Sequence, residues 1–598
     1  MIIVKSRARD AAQSVIKAVR TMKKYFRTGS IVVVGKYHED VIYDVFSRDR
    51  FIQFDGRGGV TECAATLEIG APNLTCAMTV YINRKKIDPF CEKSVRLLGR
   101  TQKIFLKDGD VKITVYQFVC ASERAIFYEI TANKAGDYDF CFDFDNTKTA
   151  RFAYAAGAGN RYIPEADMLC LNTKKNVRLV LSYDGDKEYC KKLLSRFADY
   201  KKQVDDEIRQ AKIPPSAKTQ KEKAFYLSHY FSALERYAEV GEFKGFLITN
   251  DRTYFRDSYW TVLPMYKRRP DVVRNQILTL AHGIRGNGDC PSAVTVELNP
   301  FVHHQYDTPC FFVLMVYDYI NHTGDFSVLD ESVNGRTVYQ HCLQAVDKLS
   351  QNEDKTSLIV KGGAFNTRDW ASEINRTGYV TYVELLYARA LECLSRIAGK
   401  RDKVRAERYR GMYLRTKNAI NTLLWDDEKG YYINYRDGDF IEDNLSVDTI
   451  LAVLFGIADE EKTNRLLDNV GAILETRNNK MQKAGDFGVM CVYPFYREPG
   501  RSFHRNLQDY RFHNGAAWPY WSALVAYAQM MNGRDYTYAL TSSFDWNVKR
   551  GNYTPIEYYS PICPSGALLQ GAAADFAWVY DWRDGDFFRE NRNVWGTD

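Results

Sequence analysis

The sequence predicts a multidomain protein in which an N-terminal antiparallel β-sandwich precedes an all-α domain, a closed barrel of helical hairpins. Three observations predict it. From about residue 30 to 190 the chain runs in short β-rich segments separated by turn signals, and from about 220 to the end its apolar residues recur at the helical period of about 3.6. Alternate segments between those helices are long and rich in Trp, Tyr, Asp, Arg and Gly, whereas others are as short as HTGD. Long loops gathered at one end and short ones at the other describe a barrel with a functional face.

The elements follow in order. Residues 1–27 carry an amphipathic helical stripe of Ala12, Val15, Ile16, Val19 and Met22. The runs SIVVVGKY, FIQFD, TLEIG, AMTVYI, VKITVYQFVC, AIFYEITA, YDFCFDF and VRLVLSY then read as strands, with turns at DGRGG, KDGD and NKAGD. A charged helix, CKKLLSRFADYKKQVDDEIRQAK, leads into IPPSAKTQKEK, where Pro214 and Pro215 mark a linker. The predicted organisation is therefore a β-domain over 1–205, a linker over 206–222 and a helical barrel over 223–598. At least ten helical segments follow, from AFYLSHYFSALERYA to GAAADFAWVYDW, with no fixed-period repeat that would make them a solenoid.

Composition excludes several classes. Charged residues make up 26% of the 598, and no segment reaches the roughly 18 to 20 uninterrupted apolar residues of a membrane span. The net charge of +7 is small for this length and the basic residues read as scattered, so nucleic acid is not the expected partner. The 13 Cys show no CxxC pair and no zinc spacing, and charges at Lys5, Arg7, Arg9 and Asp10 interrupt any signal-peptide apolar region. Reduced thiols and a cytoplasmic location are expected. Oligomeric state is left open, with a homo-oligomer allowed. Aromatic residues reach 14%, and flat ring faces combined with Tyr and Trp donors suit a carbohydrate substrate.

Several loops hold the candidate chemistry. In NTRDWASEI, Asp369 lies between Arg368 and Trp370; packing against the indole would favour its protonated form and make it a general acid, and a bridge to Arg368 is the structural alternative. In YTPIEYYSPICPSG, Glu557 sits among Tyr side chains, including Tyr558, where it can activate water or be an ordinary surface residue. FRDSYW offers Arg256 and Asp257 to grip vicinal hydroxyls, beside Tyr259 and Trp260, with an N-cap role for Asp257 as the alternative. Asp307 in HHQYDTP, and His513, Asn514 and Trp518 in FHNGAAWP, likewise precede apolar helices. His303 and His304 lack an HExxH context, so no metal is expected.

The order of these segments, FRDSYW, YDTPCFFVLMVYDYINHTGD, RDWASEINRTGYVTYVELLYARAL, FHNGAAWPYWSALVAYA and IEYYSPICPSGALLQGAAADF, resembles that of the six-hairpin, (α/α)6-barrel glycosidases. The likeness is greatest to glycogen-debranching-like glucosidases and glycoside hydrolase family 63, over about residues 230 to 585. It implies an (α/α)6 barrel behind a β-sandwich, Asp369 as general acid and Glu557 as general base. It also implies sugar contacts from Arg256 and Asp257, with Glu384 on the helix after the acid loop. Two departures stand out: NTRDWAS replaces an E-S-G-x-D type segment, and Ile556 replaces a Trp. The implied reaction is inverting and needs no metal or organic cofactor.

These readings give an inverting, exo-acting glycoside hydrolase on α-glucosides or small oligosaccharides. A rhamnosidase-like or other glycosidase specificity, a disaccharide phosphorylase and a catalytically silent carbohydrate-binding protein are the alternatives.

Overall fold

The computed structural model describes residues 23–27, 30–34, 42–47, 50–65, 74–87, 92–145, 152–157, 159–183, 186–247, 252–362, 368–498, 508–550, 553–562 and 575–596. Its contacts divide the chain into two units. The first comprises Met1–Arg236, Thr249–Asp251 and Phe544–Pro555, and the second Tyr237–Ile248, Arg252–Ser543 and Ile556–Asp598.

The first unit is built on two eight-stranded antiparallel sheets. One runs, edge to edge, Lys23–Arg27, Ser30–Val34, Glu92–Leu98, Thr101–Asp108, Val111–Val119, Ala125–Ala132, Asn176–Ser182 and Ala153–Ala156. The other runs Gly159–Ile163, Met168–Thr173, Tyr138–Phe144, Cys76–Ile82, Val60–Ala65, Arg50–Asp55 and Ile42–Ser47, with Lys85–Lys86 paired to Cys76–Ile82. Period-2 alternation fixes the faces. Thus Val115 and Gln117 turn toward the second sheet, where Gln117 Nε2 donates to Gly58 O at 3.1 Å and the Tyr128 and Phe142 rings meet at 5.1 Å. Tyr116 and Phe118 turn the other way, onto two helices, α1 (Lys187–Ser195) and α2 (Phe197–Gln210), through Leu193, Phe197, Tyr200 and Val204. Asp186 caps α1 by accepting from the amides of Glu188 and Tyr189. Nine described cysteines are free and buried, and Cys141 pairs with Cys170 across neighbouring strands.

Three boundary expectations differ from the structure. Of the helix expected over 1–27, residues 1–22 lie outside the described residues, and Lys23–Arg27 is a strand because it pairs in register with Ser30–Val34. The segment expected as a linker is bounded by helix: α2 extends to Gln210, and α3 (Gln220–Leu234) begins at a capping box between Thr219 and Glu222. Finally α3 belongs to the first unit, where Phe225 packs edge-on to Phe544 at 4.7 Å.

The second unit is helical. Its principal helices are α4 (Phe255–Val262), α5 (Pro270–Gly283), α6 (Thr308–Thr323), α7 (Val338–Ser350), α8 (Thr381–Gly399), α9 (Lys403–Leu423), α10 (Glu460–Asn469), α11 (Pro519–Met531), α12 (Thr537–Lys549, of which it holds the part up to Ser543) and α13 (Asp575–Asp581). Burial alternates between them. Every residue from Thr308 to Asn321 of α6 and from Pro519 to Gln529 of α11 is buried, whereas α9 buries only Tyr409, Met412, Thr416, Ala419 and Ile420. Helices apolar all round are inner elements and amphipathic ones are outer, which is how helical hairpins close into two concentric rings. FRDSYW, expected to precede a helix, lies within one, α4, because strand Arg252–Tyr254 ends where the helical turn begins. Among the described residues no helix is long and apolar enough to cross a membrane.

Candidate active site

The segments that precede the inner helices come together. Strand Arg252–Tyr254 leads into α4, Asp307 precedes α6, the Trp370 loop precedes α8 and the His513 loop precedes α11. Residues Ile556–Ser560 join them: Ala517 and Tyr559 exchange both backbone hydrogen bonds at 3.0 Å, and the Tyr558 ring stacks on Trp518 at 5.4 Å.

Asp369 is at the centre, and its surroundings overturn the expected protonation. Its Oδ2 accepts from Lys361 Nζ at 2.6 Å and from Arg376 Nε at 3.1 Å, while Oδ1 accepts from Arg376 Nη2 at 2.7 Å and from the Ala371 amide at 2.9 Å. Burial works to raise its pKa, but Arg376 and Lys361 outweigh burial and hold it well below the usual carboxylate range. The carboxylate is ionised. The Trp370 indole Nε1 donates to Asp448 Oδ2 at 2.6 Å. Arg368 is exposed. The bridging residue is Arg376, seven positions on, whose Nη1 also donates to Asp448 Oδ2 at 2.6 Å and to Asn434 Oδ1 at 3.0 Å.

This buried lattice positions the aromatic wall. The Trp370 ring meets His513 edge-on at 5.4 Å and Trp521 at 5.1 Å, and His513 stacks on Trp518 at 4.8 Å. Trp518 is tied back by its Nε1 donating to Phe512 O at 3.1 Å. Burial drives the His513 pKa well below its ordinary value; Asp369 opposes this, and Arg376 and Arg256 add to it. The imidazole is therefore neutral. Its Nδ1 faces the Glu373 amide at 3.4 Å, a backbone contact with Trp370 also opposes the shift, and Nε2 is buried without a hydrogen bond among the described residues.

Arg256 and Asp307 form the opposite part of the site. Asp307 Oδ2 accepts from Arg256 Nη1 at 2.8 Å and from Tyr382 Oη at 3.0 Å, and its buried Oδ1 has no partner. Burial disfavours charge on Arg256, but Asp307 and Asp257 outweigh it and hold the guanidinium firmly cationic. Asp257 and Glu557 are both half-buried.

Four expected contact residues are placed differently. Tyr259 lies in the core with its hydroxyl donating to Asp318 Oδ2 at 2.8 Å, and Trp260 packs among Phe311, Tyr520 and Trp521. Helical spacing explains both, since they follow Arg256 within α4 and turn onto its buried face. Glu384 is fully buried and accepts the Ile359 amide on both oxygens at 3.0 and 3.1 Å, and burial raises its pKa well above the ordinary value. Asn514 is also buried, its Oδ1 accepting from the Tyr496 amide at 2.8 Å. Conversely, sequence reasoning passed over Lys361, Arg376, Asp448 and Glu373. Arg376 and Glu373 stood in the segment already under inspection, NTRDWASEINRTG, but no local pattern sets a partner seven residues away above an adjacent one.

An aromatic-walled site on the loops of a helical barrel defines a carbohydrate-active enzyme. The chain belongs to the glycosyl hydrolase 94 superfamily, whose catalytic-domain model matches residues 229–534. The resemblance to six-hairpin glycosidases thus holds, with membership in family 94. Over 180 residues, or 27% of the chain, it is 30% identical to N,N'-diacetylchitobiose phosphorylase of Vibrio furnissii. Over 230 residues, or 35% of the chain, it is 25% identical to solabiose phosphorylase of Paenibacillus borealis. These matches span 22% and 28% of the two relatives. In fold, a bacterial glucoamylase complexed with acarbose superposes with a TM-score of 0.61 over 93% of the chain and 95% of its own length, at 11% identity. That likeness establishes an (α/α)6-barrel architecture.

Proposed function

We propose that the protein cleaves a glycosidic bond of a short, neutral oligosaccharide by inverting transfer of the glycosyl unit to inorganic phosphate. His513 carries the reading: a neutral imidazole whose buried Nε2 makes no hydrogen bond among the described residues, within the electrostatic reach of Arg256 and Arg376. In its Nε2–H tautomer this ring donates to a phosphate oxygen beside two guanidinium groups. The relatives named as phosphorylases of N,N'-diacetylchitobiose and solabiose support the same chemistry. In this reading the sugar lies against Trp370, Trp518 and Tyr558, and its hydroxyls donate to Asp307 Oδ1. Glu373, half-buried on the turn after Trp370, protonates the leaving oxygen as the C1–O bond breaks. A phosphate oxygen bonds C1 from the opposite face, giving a glycosyl phosphate of inverted configuration. Asp369 stays ionised and holds the loop through Lys361 and Arg376.

A second reading, hydrolysis of α-glucosides, is favoured by Glu557, a half-buried carboxylate one residue from the Tyr558–Trp518 stack. Water would replace phosphate, with Glu557 as its base. One assay separates the two: turnover of a glycoside panel with and without phosphate. Phosphate-dependent release of a glycosyl phosphate supports the first reading, and phosphate-independent release of free sugar that is lost in Glu557→Gln supports the second.

A further inference from the structure

The basic residues, expected to be scattered, are concentrated in one segment. Between Arg396 and Lys417 the chain has nine basic and two acidic residues, an excess of seven that equals the formal net charge of the whole protein, +7. In the structure this segment is the end of α8, the connecting turn and most of α9. A cleft of about 500 Å³ opens there, lined by the basic Arg396, Lys400, Lys403 and Arg410 and by the acidic Glu407 and Glu392, the latter paired with Arg389. Lys403, Glu407, Arg410 and Leu414 recur at helical spacing along one face of α9, and Leu414 is 55% exposed.

Part of this charge is already used. Arg396 pairs with Glu590, Arg401 with Asp330, and Arg408 with Asp347. Lys403, Arg410 and Arg415 have no carboxylate partner among the described residues. The cleft therefore combines two cations without a carboxylate partner among the described residues, Lys403 and Arg410, with the Tyr413 ring and an exposed leucine. Cations recognise anionic groups, while the ring and the alkyl surface suit the faces of sugar rings. The site is also remote from the candidate active site. Tyr382, which touches Asp307, is near the start of α8 and Arg396 near its end, and fourteen residues of helix span about 20 Å.

We propose that this cleft is a second carbohydrate site that binds an acidic polysaccharide through its carboxylates and holds the enzyme on that polymer. The choice of a glycan rests on family membership, not on phosphorolysis, so either idea can fail without the other. The test is native affinity electrophoresis of the full chain in gels containing polygalacturonate, with neutral dextran and a DNA duplex as comparisons. Polygalacturonate is expected to retard the wild type in a salt-sensitive way, and Lys403→Glu/Arg410→Glu to weaken retardation by about tenfold or more. Turnover of a small substrate is expected to stay unchanged in the same variant. Where the double variant fails to fold, Arg410→Gln replaces it with a smaller loss in the same direction. Absence of retardation, equal retardation in dextran, tighter binding of the DNA duplex, or a folded variant that binds as well as the wild type would overturn the proposal.

Discussion

Replacing Arg376 by Met tests the arrangement around Asp369. The substitution keeps much of the side-chain volume and removes four hydrogen bonds, at 3.1 and 2.7 Å to Asp369, 2.6 Å to Asp448 and 3.0 Å to Asn434. Two fully buried carboxylates lose their shared cation; Asp369 keeps Lys361, and Asp448 keeps only the Trp370 indole. Taking one partner from a buried ionic network costs about 3 to 5 kcal/mol, because the remaining charge stays desolvated. Arg376→Met is expected to lower stability by that amount, measured by urea unfolding followed through Trp emission. Adding Asp448→Asn in the same background is expected to restore about 1 to 2 kcal/mol, since it removes the carboxylate left without a cation while Asp369 keeps Lys361. Activity is expected to fall sharply in both variants, as Trp370 and the His513 loop lose their anchor. A loss of under about 1 kcal/mol in Arg376→Met, or a double variant less stable than the single one, would refute the argument.

The remaining predictions concern protonation and the reacting groups. Burial pushes buried Asp318 up to about 7, so the folded state keeps a proton that the unfolded chain loses near pH 4. Its contribution to stability is thus intact below about pH 4 and falls as pH rises toward 7; Asp318→Asn is expected to flatten that slope and to be more stable than wild type above pH 7, by about 1 to 4 kcal/mol in thermal unfolding across pH. His513→Ala is expected to raise the phosphate KM by about tenfold or more, with a smaller rise in sugar KM from the loss of its stack on Trp518. Glu373→Gln is expected to reduce kcat by about a hundredfold or more on substrates with poor leaving groups, and much less on aryl glycosides that need no proton; equal losses on both would remove Glu373 from the acid role.

The two-domain organisation was legible because it rests on periodicity. Alternating runs such as VKITVYQFV and the long apolar segment TPCFFVLMVYDYIN dictate burial directly, and both became the expected elements. The ends of elements were less legible. Lys23–Arg27 forms a strand through pairing with Ser30–Val34, and the chain near Pro214 is flanked by helices whose packing partners lie far off in sequence.

In the site, the loops were found but not the state of their residues. The Trp370, His513 and Trp518 rings are in contact, on loops whose places before helices are visible in the sequence. The sign of the pKa shift at Asp369 depended on Lys361 and Arg376, and the orientation of Trp370 on Asp448, 78 residues away. Long-range partners set ionisation, and local sequence does not contain them. The basic segment from Arg396 to Lys417 was different, since its charge count was visible throughout. Its meaning emerged only once α8 and α9 formed the walls of one cleft.

The central claim is transfer to phosphate with inversion at the anomeric carbon. It is tested most directly by following a turned-over oligosaccharide by proton NMR in the presence and absence of inorganic phosphate. Inverting phosphorolysis gives no turnover without phosphate and, with it, a glycosyl phosphate whose anomeric configuration is opposite to that of the bond cleaved. Free sugar released without phosphate, or a product of retained configuration, would contradict it.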